Sequence, residues 1–121
     1  MFTRSLTRTI SIAFITLCSH SAFAETITVQ EADLLTKEDI ASTQVLIDVC
    51  PAFTANNPAL KTKIDFLTNT LLKNLSQTTT LAQLQQDGEY QAAFKEAQAN
   101  AKEVDNEEQK SVCADILTLE S

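Results

Sequence analysis

The sequence predicts an all-α fold: a small bundle of four to five short helices, closed by one disulfide between Cys50 and Cys113, after an N-terminal signal peptide. Three observations lead there. Leu60, Ile64, Leu67, Leu71 and Leu75 recur at the spacing of one helix face, and Tyr90, Phe94, Ala97, Ala101 and Val104 do so again. Side chains able to cap free helix amides, Thr36, Asn57, Thr80 and Asp105, stand ahead of the apolar runs. Behind the leader only Cys50 and Cys113 remain, and an exported chain with an even pair of cysteines passes through an oxidising compartment.

The leader has Arg4 and Arg8, then an apolar run over residues 10–18 that is too short to span a bilayer. It ends in Ser21-Ala22-Phe23-Ala24, where Ala22 and Ala24 supply the small side chains a signal peptidase needs, so cleavage is expected after Ala24. The competing reading is a buried N-terminal helix. Lipidation at Cys18 is disfavoured, because the bulky Leu17 precedes it. The expected destination is the periplasm or the medium.

Removing residues 1–24 takes both arginines, the only histidine (His20) and the only methionine. Seven lysines then face sixteen carboxylates, a side-chain charge of −9. A field of that sign repels nucleic acid and anionic membrane surfaces, and without arginine no guanidinium fork can grip a phosphate. Stable membrane insertion of the mature chain is not expected either. The remaining length suits one domain, set at residues 36–121 behind an arm over 25–35. Its apolar supply is modest, so closing the loop from Cys50 to Cys113 should contribute about 4 kcal/mol in the chain-entropy model. Two free buried thiols or an intermolecular bridge are the competing readings.

In order, residues 25–30 alternate polar and apolar like an extended segment, although Thr28 and Glu31 also fit a capping box that would open a single helical turn through residues 32–35. The first full helix is expected from Thr36, with Ile40, Ile47 and Cys50 on one face. Residues 44–49 are β-branched enough for a strand, but no partner strand exists. Pro51 lacks the amide that would bond Ile47, so this helix either ends at Cys50 or bends there and runs on to Phe53. Asn57-Pro58 opens a second helix through 58–75, its stripe widened by Phe66 and Leu72. A polar loop over 76–80 leads to a short helix over 81–87, and Gly88 permits a sharp turn. Residues 89–104 and a last helix with Val112, Cys113, Ile116 and Leu119 follow, the latter opened by an Asp105–Glu108 capping box.

The chemistry is read by exclusion. A mature chain without histidine has no imidazole metal site, Ser-His-Asp triad or Cys-His pair. There is no C-x-x-C, and one glycine cannot build a phosphate loop. Haem ligation through Cys50-Pro51 conflicts with the expected bridge. No cofactor is expected and the chain does not read as an enzyme. Asp48, Asp65 and Asp115 stand beside apolar runs and are the only acid–base candidates, though such residues are ordinarily solvated. Glu103, Asp105, Glu107 and Glu108 suit a charged helix start better than a calcium loop. Asn74-Leu75-Ser76 matches a glycosylation sequon.

What remains is a small, acidic, exported, non-catalytic module that binds a protein partner of cationic character, as an inhibitor, immunity or envelope accessory protein. Export, size and one disulfide between well-separated cysteines also give the chain a plan that resembles the periplasmic acid-stress chaperones of the HdeA type. That resemblance implies a helical protein that opens in acid to hold clients. It supplies no site residue, because the tryptophan-containing segment of that family has no counterpart around Cys50.

Overall fold

A computed structural model describes residues 26–120; the expected leader, with Ala22 and Ala24 as its expected cleavage residues, lies outside them. The described residues are all-helical, with five helices and a Cys50–Cys113 disulfide. The helices are α1 (Val29–Val49), α2 (Ala59–Leu72), α3 (Leu81–Leu84), α4 (Gly88–Glu103) and α5 (Asn106–Leu117), with a 3-10 turn over Cys50–Phe53.

The first helix departs from the sequence reading. It starts at Val29 instead of Thr36 and runs unbroken for 21 residues, so residues 29–35, expected as part of an arm, form its first two turns. The cap is Thr28: its hydroxyl accepts the Glu31 amide while the Glu31 carboxylate accepts the Thr28 amide, satisfying two otherwise unpaired donors. Thr36, the expected cap, donates instead to the Ala32 carbonyl inside the helix. At the other end Pro51 ends the α-helix, and the chain tightens into the 3-10 turn. The sharp reversal follows at Ala55 and Asn56, both in the left-handed region at φ 52° and 56°. Gly88 makes no such turn. Its φ is not positive, and it simply begins α4 behind the cap of Asp87, whose carboxylate accepts the Tyr90 amide.

Around α1 the others are arranged by pairings between distant residues. Asp33 meets Ser76, and Gln44 donates to the buried Thr68 hydroxyl at 2.7 Å, so α2 runs antiparallel beside α1. Lys37 meets Asp87 and Glu89, while Val45 and Val49 share a groove with Gln98 and Ala101, so α4 runs parallel to α1. The core has two centres. One gathers Ile40, Ala41, Leu84, Tyr90 and Ala93, with Leu71, Leu72, Leu75 and Phe94 against it. The other gathers Cys50, Leu60, Ile64, Cys113 and Ile116. Both α1 and α2 contribute to each, which ties the two ends of the domain together.

The apolar stripe of α2 is therefore shared between centres, and Leu75 joins from beyond the helix end. Phe66 does not widen it inward, being 43% exposed, and the buried place is taken by Thr68. Likewise Val112 faces out and Gln109 is buried on α5. Helix α5 packs against α2 and the 3-10 turn, and Lys63 of α2 donates to the Leu119 carbonyl beyond its end.

Candidate functional site

Two features hold the molecule in shape, one at each end of α1. At its C-terminal end the sulfurs of Cys50 and Cys113 are bonded, with Cα atoms 5.4 Å apart and both residues wholly buried. That spacing lies within the ordinary range for a bridge. Leu60, Ile64 and Ile116 surround the cysteines, and the Gln109 amide lies 3.9 Å from the Cys113 sulfur. A disulfide shut into an apolar centre is out of reach of an attacking thiolate, so the geometry is that of a clamp.

At the N-terminal end is a polar cleft of about 420 Å³ between the start of α1, the loop after α2, and α3. Two short ion and hydrogen-bond systems cross it. The Asp33 carboxylate accepts both the Ser76 amide, at 2.9 Å, and the Ser76 hydroxyl. These bonds, the hydroxyl first, hold the Asp33 carboxyl below the ordinary carboxylate value. Lys37 places its ammonium 3.0 Å from Asp87 and 3.3 Å from Glu89. Burial opposes the lysine charge, but the hydrogen bonds to Asp87 and Glu89 outweigh it and raise Lys37 above the usual lysine value. The Tyr90 amide and then the Lys37 ammonium lower Asp87.

The consequence is an uneven surface. Lys37 is the single lysine of α1 and is spent on the α4 cap Asp87 and on Glu89 in the first turn of α4, its side chain only 15% exposed. Glu31, Glu38, Asp39 and Asp48 of the same helix remain exposed, and Leu35, 51% exposed, lies one helical turn from Glu31, Glu38 and Asp39.

The three aspartates singled out by sequence are not brought together. Asp48 and Asp115 are exposed, and Asp65 pairs with Lys61 at 2.7 Å within α2. In the acidic run, Asp105 caps α5 and Glu107 and Glu108 lie in its first turn, where carboxylates oppose the helix dipole. The Asp105 side chain accepts the Glu107 amide, so the expected box with Glu108 is not formed. Asn74 is exposed, and Ser76 of its sequon is the residue bound to Asp33. Among the described residues, no three His, Cys, Asp or Glu side chains converge as a metal ion would require. Sequence reasoning missed Asp33, Lys37 and Asp87. Only their sign was visible, because their partners lie 43 to 52 residues away.

A family model described as Domain of unknown function (DUF7944) matches residues 36–116. No curated protein and no solved structure matches the chain. No helix among the described residues is long and apolar enough to cross a membrane.

Proposed function

The chain belongs to the DUF7944 family, and we propose that it is a small exported, non-catalytic protein-binding module, released to the periplasm or medium by cleavage after Ala24. It covers a cationic protein partner by charge complementarity, as an inhibitor, immunity or envelope accessory protein does. The observation that carries this reading is the fate of Lys37. With its ammonium committed to Asp87 and Glu89, α1 offers a partner Glu31, Glu38 and Asp39 around Leu35 without a cation of its own to neutralise them. Long-range attraction of that kind speeds encounter with a basic surface and selects against acidic ones. The experiment is capture on the immobilised, disulfide-intact chain from the envelope fraction of the producing cells. A specific basic protein that elutes with rising salt supports the reading, and its absence removes the main support.

A second reading, an acid-activated chaperone similar in plan to the HdeA type, is favoured by the N-terminal cleft. The ties from α1 to the loop after α2 and to α4 run through Asp33 and Asp87, so strong acid removes both while the disulfide persists. Near-UV circular dichroism from pH 7 to pH 2, with aggregation of a client protein followed in parallel, separates the readings. Retained packing in acid without client protection excludes the chaperone.

A further inference from the structure

A second cavity, of about 310 Å³, opens beside α4 and is lined by Gln85, Tyr90, Gln91, Phe94, Lys95 and Gln98. Its volume lies at the lower end of the range of small-molecule sites. The Tyr90 and Phe94 rings form its apolar body, stacked with centroids 6.1 Å apart.

Tyr90 is the unusual member. Only 4% of it is exposed, yet among the described residues its hydroxyl has no hydrogen-bond partner, and no side-chain polar atom is both sealed from solvent and unpaired. A tyrosine this deep ordinarily finds a partner for its hydroxyl. The hydroxyl is therefore not sealed from solvent, and Tyr90 lines this cavity. Burial raises the Tyr90 pKa, so the phenol stays protonated and can donate. Lys95, exposed at the rim, brings a cation with no ion pair among the described residues, unlike Lys37 and Lys61. The Gln91 amide is engaged by the Gln85 carbonyl at 3.0 Å, which fixes the wall between them.

We infer that this cavity binds a small carboxylic acid with an apolar body: the body lies against Tyr90 and Phe94, and the carboxylate accepts from the Tyr90 hydroxyl and the Lys95 ammonium. A carboxylate suits both at once, since it only accepts while the phenol hydroxyl and the ammonium both donate. An uncharged body of the same shape forfeits the lysine, and a cation is repelled by it. The site is independent of the carboxylate face on α1, so its failure leaves the partner-binding proposal untouched.

The test is a titration of the full disulfide-intact protein with 3-phenylpropionate, and separately with 3-phenylpropanol, following the ring resonances of Tyr90 and Phe94 by NMR. The expected result is saturable binding that favours the acid. Tyr90→Phe, which removes only an unpartnered oxygen, should weaken the acid about fivefold, the worth of one neutral hydrogen bond. Lys95→Gln should weaken it by at least as much and erase the preference over the alcohol. Lack of saturation, equal affinity for acid and alcohol, or unchanged affinity in either variant overturns the assignment.

Discussion

Replacing both half-cystines with alanine, C50A/C113A, tests the clamp without burying a hydroxyl where the sulfurs were. The bridge spans 63 residues of sequence, and a loop of that size confines the unfolded chain by about 4 kcal/mol in the chain-entropy model. Little else substitutes for it: α5 is held by Ile116 and Leu117 against the second core centre and by Lys63 at the Leu119 carbonyl. A domain near this length loses roughly 4–8 °C of Tm per kcal/mol, so a fall of about 20 °C is expected. Urea denaturation followed by far-UV circular dichroism measures the free energy directly, with reduced wild type as the control for cavity effects. The single variants C50S and C113S should lose roughly 2–5 kcal/mol. If the double variant unfolds within about 0.5 kcal/mol of wild type, the bridge does not organise this fold.

Three further outcomes follow from the local geometry. T28A should cost about 1 kcal/mol and expose the amides of residues 29–31 to hydrogen exchange, whereas T36A should change stability by less than about 0.5 kcal/mol; the reverse order would return the helix start to Thr36. A55G relieves a left-handed alanine at φ 52° and should be neutral to stabilising by up to about 1 kcal/mol in urea denaturation, net of glycine's extra unfolded-state entropy, and a clear loss would show that the methyl packs. Asp33 and Asp87 both titrate below the ordinary 3.8 in the folded state, so their contribution is full above that pH and is lost as pH falls through the folded-state values. The urea midpoint should therefore drop below pH 3.8, and D33N/D87N should flatten that drop; an equal drop in the double variant would assign it to other carboxylates.

Features written in local spacing were legible in the sequence. The stripe from Leu60 to Leu71, the Thr80 capping box and the Asp105 cap all repeat within one or two turns, and the cysteine pair follows from counting. The start of α1 was ambiguous because Thr28 and Thr36 both precede acidic turns, and the alternation over residues 25–30 imitates a strand. Packing decided it: a longer α1 reaches the loop after α2, where Asp33 finds Ser76. Gly88 drew attention as the only glycine, yet the strained turn fell to Ala55 and Asn56, where the reversal after the bridged Cys50 demands it. Thr68 and Gln109 occupy apolar faces because each finds a partner there, in Gln44 and the Cys113 sulfur. The proposed binding face is the least legible part. Sixteen carboxylates read alike until the fold commits Lys37 to Asp87 and Glu89 and leaves Glu31, Glu38 and Asp39 of α1 exposed without a lysine partner.

That commitment is the centre of the functional account, and E31Q/E38Q/D39N addresses it directly, because all three carboxylates are exposed and the change leaves the core intact. Glu31 also closes the α1 cap, a role that glutamine keeps. The measurement is the affinity of wild type and variant for the captured basic partner at two salt concentrations. A loss of about tenfold or more at low salt, with a shallower salt dependence, is the predicted result. Equal affinity and equal salt dependence in the two proteins would contradict it.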